Sequence, residues 1–308
     1  MQASDSYGGS ALAALIAGAC AIALAPIFVR FADVGSAATG FYRMFFAAVV
    51  LAPWLAHDMH RERVGRRMTA SQWALMFIAG ACFGADVLFF HAASRMTSVA
   101  NATLFLNFAP IFVVLGARFL FGEPIRAALV AGLGTAIVGA GLLMSHSLRL
   151  SLEHLHGDAF GLIAAVFYAG YLLAVSRLRA SRNTVEIMVW TSLFGAAVIV
   201  PVMVLSPEPA LAGSARGWMV LLALGLLSHA GGQSLIAYAL AHLPVGFSGV
   251  ALLVQPVAAA VFAWALLAEA LGPTQLAGGT VVILGVLLAR RAVVPRGAFA
   301  SAPKSGRG

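Results

Sequence analysis

Apolar residues dominate this chain in ten long stretches, and polar residues collect in the gaps between them. A membrane-crossing helix needs about 20 mostly apolar residues. By that rule the pattern predicts helices at roughly 10–31, 36–56, 72–94, 98–121, 125–145, 157–178, 184–205, 216–240, 245–267 and 273–292. Connections are short except at 57–71, 146–156 and 206–215. The stretch 293–308 is rich in Gly, Ser, Ala and Pro and reads as a disordered tail. The fold class is all-α polytopic membrane protein.

The ten stretches are one pattern used twice, a feature to settle before any other reading. Pro110 and Glu123 are thirteen residues apart, and so are Pro256 and Glu269, with an offset of 146 between the pairs. Gly132 and Gly139 map onto Gly278 and Gly285 with the same offset. Upstream, Trp73 maps onto Trp218 and Pro53 onto Pro201 after small gaps. The expected units are 10–145 and 157–292, each of five spans. Five is odd, so the second unit starts from the opposite side of the membrane. The two are therefore expected to be inverted, an arrangement that suits alternating access around a central site.

Composition agrees. Hydrophobic residues make up 61% and charged residues 10%, with a mean hydropathy of +0.95. A soluble domain carries roughly 25% charged residues, so membrane lipid is the expected surroundings. The net charge of +8 does not indicate nucleic acid, because the basic residues lie in loops and tail. With the first residues in the cytoplasm, Arg61, Arg63, Arg66, Arg67, Arg118, Arg126, Arg177, Arg179, Arg182, Arg290, Arg291, Arg296, Lys304 and Arg307 share that side. Arg30, Arg43, Arg95, Arg149 and Arg216 fall on the other, a split of fourteen to five. The positive-inside rule then places both termini in the cytoplasm; the expected location is a bacterial inner membrane. The first span lacks a positive n-region and is followed by more spans, so it does not read as a signal peptide. Cys20 and Cys82 lie inside apolar stretches, which argues against a disulfide framework or a metal site. No P-loop and no HExxH occurs, and no cofactor is expected.

Two five-span halves, each with Pro-x12-Glu followed by a Gly-rich span, resemble the drug/metabolite transporter superfamily, in particular its EamA-type exporters. The likeness runs over about residues 10–292 and extends to exporters of aromatic amino acids. It implies a ten-helix exporter of amino acids or similar small metabolites, with a cavity between the halves. A multidrug or cationic-compound exporter is the alternative substrate class. A homodimer and a monomer are both compatible with the pattern.

Candidate residues follow from polarity inside apolar stretches. Asp86 lies more than two turns from either end of span three. A charge at that depth costs at least ~2.5 kcal/mol on insertion scales, so it must face protein or water. His91 lies about 140° further round the same helix. In span eight, His229 and Gln233 are i,i+4 and share a face of a regular helix. Asn101 with Phe108 on span four, and Ser248 with Gln255 on span nine, repeat at seven-residue spacing. Tyr168 and Tyr171 lie deep in span six, whereas Trp54, Trp73 and Trp218 suit interfacial anchoring. These residues are the expected cavity lining. Asn107 and Gln255 stand just before the prolines, free to satisfy loosened backbone or to face the cavity. Pro110 and Pro256 are expected helix bends, static or working. Glu123 and Glu269 precede Pro124 and Pro273, and read as structural carboxylates at the starts of spans five and ten. Arg43 is expected to pair with Asp33. The glycines of spans five and ten read as packing faces outside the cavity.

One enzyme reading competes. Gly246-Phe-Ser248-Gly249 matches the GxSG pattern of rhomboid intramembrane proteases, with Ser248 as nucleophile. Such short matches are common in a chain with 32 glycines, and the doubled five-span pattern has no counterpart in rhomboids.

Overall fold

The computed structural model describes residues 2–60, 67–145 and 155–293. The expected tail beyond 293 lies outside them, as do Arg61, Arg63, Arg66, Arg149, Arg296, Lys304 and Arg307. The described residues are helical, without strands, and ten helices are long and apolar enough to cross a membrane. These are Gly9–Phe31, Ser36–Met59, Ala70–Met96, Ala100–Phe121, Ala127–Met144, Leu155–Leu178, Thr184–Leu205, Ala215–Ala239, Val245–Leu267 and Pro273–Arg290, here spans one to ten.

Contacts near the helix ends define the two ends of the bundle. At the arginine-rich end, Arg182 donates to Gln72 Oε1 at 2.6 Å, joining the loop after span six to the start of span three. Arg182 also pairs with Glu186 at 3.3 Å, both almost fully buried. Arg179 donates to the Ala237 carbonyl at the finish of span eight. Burial holds the Arg179 guanidinium below its ordinary pKa. At the opposite end, Arg95 pairs with Glu208, which also accepts from the Ser36 N–H at 2.8 Å. Span three therefore begins at the end where span eight finishes.

Packing between the halves comes in exchanged pairs. Span three lies against span six as span eight lies against span one. Span three meets seven as eight meets two. Spans two and seven, and five and ten, pack each on its own counterpart. The five–ten seam is made by glycine. A Cβ on Gly132 would lie 2.5 Å from the Gly285 carbonyl, and one on Gly285 would lie 2.7 Å from the Gly132 carbonyl. Gly139 and Gly278 approach each other's carbonyls in the same way. Small residues let membrane helices come this close, so that packing and dispersion can hold them.

Several spans are not continuous helices. Span four is Val99–Leu106 followed by Ala109–Phe121, with Pro110 in the first turn of the second piece. Span nine is Val245–Ala251 followed by Val254–Leu267, with Pro256 in the corresponding place. Proline lacks an N–H, and a first turn is where that loss costs least. Span one breaks likewise between Ala23 and Ala25, with Pro26 beyond. Span eight has a different irregularity: Leu224–Gln233 is π-helical, between Ala215–Ala223 and Ser234–Ala239.

Candidate functional site

A cleft opens where the breaks of spans four and nine cross. About 620 Å³ of space lies between its walls, open solvent at the mouth included. Span one contributes Ile22, span two Arg43, span three Phe83 and Asp86, and span six Tyr168 and Leu172. The broken segment of span four contributes Leu106, Asn107, Ala109 and Pro110. Span nine adds Gly249, Leu252, Leu253 and Gln255, and span eight adds Gln233. Spans five and ten contribute nothing to this wall.

Asp86, Tyr168, Gln233, Gln255 and Pro110 thus share one cleft. Arg43 joins them, against the expectation that it pairs with Asp33. It stands seven residues inside span two, about 10 Å along the axis from Ser36, while Asp33 accepts from the Ser214 hydroxyl in the loop region. The Arg43 guanidinium lies over the Phe83 ring, 5.4 Å from its centroid. Arg43 and Asp86 form no direct ion pair. Arg43 Nε, Asp86 Oδ1 and Asn107 Nδ2 have no hydrogen-bond partner within the protein. Buried polar atoms are ordinarily satisfied, so the cleft offers a guanidinium, a carboxyl oxygen and an amide to something else. The rule that singled out Asp86, a charge deep in an apolar stretch, applies equally to Arg43.

The other expected lining residues sit elsewhere. His91 lies near Ser36, Arg95 and Glu208 at the opposite end of the bundle from the arginines. Asn101 donates to Asp158 Oδ1 at 3.1 Å, and its own N–H is capped by Ser98. Ser98 precedes span four and Asp158 lies in the first turn of span six, so Asn101 ties two helix starts together rather than lining the cleft. Phe108 packs on Phe105, ring centroids 5.8 Å apart. Tyr171 is buried behind Phe83 and directs its hydroxyl to Met188 Sδ. His229 also lies behind Phe83, with Nε2 3.0 Å from the Ser192 hydroxyl. His229 and Gln233 both belong to the π-helical stretch of span eight. Its hydrogen bonds run i to i+5 rather than i to i+4, while His229 turns to Ser192 and Gln233 lies in the cleft wall.

Ser248 is fully buried and donates to the Pro244 carbonyl in its own turn. Among the described residues no histidine is bonded to it, so the serine–base geometry of a protease is missing there.

The two carboxylates also differ from expectation. Glu123 does not cap span five, which begins at Ala127 with Pro124 left in the connection. Its oxygens accept instead from the N–H groups of Val245 and Gly246, each at 3.1 Å, at the start of span nine. Span ten does begin at Pro273, but Glu269 pairs with Arg30 at 2.6 Å. A short sequence interval suggests the nearest helix start, whereas the fold supplies a different one from the other half.

Comparison with known proteins adds the lineage. The EamA-like transporter family model matches the chain twice, over residues 9–145 and 155–291. The chain belongs to the EamA-like transporter family. EamA-like relatives include an uncharacterized transporter of Archaeoglobus fulgidus, 24% identical over 91% of this chain and 96% of its own length. The pseudopaline exporter CntI of Pseudomonas aeruginosa is 26% identical over 67% of this chain and 70% of its own length. A probable terminal-alkyne amino-acid exporter of Streptantibioticus cattleyicolor is 30% identical over 66% and 68%. One crystal structure superposes with a TM-score of 0.77, covering 92% of this chain and 98% of that one at 21% identity. That likeness establishes the fold. Transport of small metabolites is thus the business of this family and of its exporter relatives.

Proposed function

We propose that this EamA-like transporter exports amino acids, aromatic or other neutral ones, across a bacterial inner membrane. Both termini face the cytoplasm, in line with the arginine bias. The observation that carries the substrate class is the pairing of Arg43 and Asp86 in one cleft without a direct bond between them. An amino acid needs a cation for its carboxylate and an anion for its ammonium. Arg43 supplies a fixed fork of donors for the first, and Asp86 an acceptor for the second. Phe83, Tyr168 and Leu172 provide apolar wall for a side chain. The exporter names of two relatives, one of them an amino-acid exporter, support the direction and the class.

Cationic drugs are the weaker reading. Their usual anchor is an aromatic face beside an acid, and the Phe83 face is already covered by Arg43. The exchanged packing of the halves supports inverted repeats, with the units at 10–145 and 157–292, and alternating access between them.

Proteoliposome counterflow with labelled amino acids and one organic dication tests the proposal. Saturable exchange of a neutral amino acid, lost in Arg43→Gln and in Asp86→Asn, is the expected result. Dication exchange that survives Arg43→Gln while no amino acid moves would overturn it.

A further inference from the structure

The two Pro-x12-Glu units end in the same backbone hook. Gly122 adopts φ +70° and Ala268 φ +55°, and these are the only left-handed residues among those described. The next N–H turns back onto the helix in both: Glu123 N to the Ala117 carbonyl, Glu269 N to the Ala263 carbonyl. Residues 117 and 263, 122 and 268, and 123 and 269 are all 146 apart. A non-glycine side chain in the left-handed region is strained, yet Ala268 holds the shape that Gly122 adopts freely.

The hooks differ in what they hold. Glu123 closes the arginine-rich end, gripping the first N–H groups of span nine. Above that grip the first piece of span nine is buried at every position, packed on the second piece of span four. At the opposite end the equivalent pieces make no comparable contact, and only Pro256 is buried in the second piece of span nine. Counting back 146 from Val245 and Gly246 gives Val99 and Ala100, the start of span four. Glu269 does not reach it. Its side chain is half-exposed on an equally exposed Arg30, a kind of pair that contributes little.

We infer that Glu123 and Glu269 are alternating latches. In this conformation Glu123 shuts the arginine-rich end of the crossing of spans four and nine. In the other, Glu269 leaves Arg30 and takes the N–H groups of Val99 and Ala100, while Glu123 lets go. The inference rests on the alternating-access reading, but not on the substrate.

Spin-label distances in the full chain, with Cys20 and Cys82 replaced by alanine, test it. One label pair at positions 119 and 242 reports the arginine-rich end, and a second at 96 and 270 reports the other; all four positions are exposed. Two charge-assisted bonds are at stake. Glu123→Ala should therefore shift the ratio of closed to open arginine-rich ends by at least about tenfold, and shorten the 96–270 distances in step. Glu269→Ala should deplete the second state by a similar factor. Glu123→Gln, which still accepts N–H bonds, should keep most of the closed population. Wild-type distance distributions in folded Glu123→Ala and Glu269→Ala overturn the latches. Should Glu123→Ala fail to fold, Glu269→Ala decides alone, since its carboxylate lies at the surface. Two exchanging distance sets that respond to both variants, in a protein that moves no amino acid, support the latches and sink only the substrate proposal.

Discussion

Spans five and ten meet their own counterparts, and so do spans four and nine, yet the two meetings are unlike. The five–ten seam is the same read from either half: Gly132 faces Gly285 as Gly139 faces Gly278. The four–nine crossing is closed at one end and parted at the other. Helices joined through backbone contact have no room to slide without losing dispersion along the whole seam. Helices broken at a two-residue turn can move one piece at a time. In the proposed alternating cycle the seam is the fixed post, and the crossing the part that changes.

The largest effect should come from the seam. Gly139→Val would place side-chain atoms against the backbone of Val282 and the Gly278 carbonyl. Overpacking of that kind costs roughly 1–3 kcal/mol or more. The melting temperature in detergent should fall sharply, and transport should be lost with it. An unchanged melting temperature would show that the seam is not rigid.

Next come the charges of the cleft. Asp86→Asn should leave the melting temperature unchanged or raised, since a buried charge is removed, while kcat/KM for a neutral amino acid falls by about 10- to 100-fold, the equivalent of one or two charge-assisted bonds. Restoring the size but not the fork, Arg43→Lys should recover only part of the activity lost in Arg43→Gln. Normal transport by both Asp86→Asn and Arg43→Gln would move the site away from this cleft.

A smaller effect is expected at the breaks. Pro110→Ala and Pro256→Ala restore an N–H and favour a continuous helix. Each should slow transport by about threefold to tenfold with substrate affinity retained. Wild-type rates in both would make the breaks static. The mildest change should be His229→Ala, which removes one neutral hydrogen bond to Ser192 and a ring behind Phe83. Stability should drop by about 1 kcal/mol, read as melting temperature, with only a modest rise in KM.

Hydropathy alone located all ten spans within a few residues, because lipid demands long apolar helices whatever their neighbours. The doubled Pro-x12-Glu pattern also survived intact in the fold: both prolines lie in the first turn of the second piece of a broken helix. The lining was less legible. Asp86 stood out because an unpaired charge in an apolar run has few explanations. Asn101 and Ser248 stood out on the same ground and proved to be bonded at a helix end or within their own turn, while His91 lies beside Arg95 and Glu208 at one end of the bundle. Polarity in a span says that a partner is required, not which one.

Chain composition and periodicity determined the class, the number of spans and the repeat, since each depends only on local transfer of side chains and backbone into lipid. The tertiary structure decided the rest. It turned Arg43 into the cleft, put Gln233 in the cleft wall and His229 on Ser192, and gave Glu123 to span nine. These outcomes depend on side-chain direction and on which of several helix starts lies within about 3 Å of a carboxylate. Distances of that kind exist only once helices far apart in sequence have packed together.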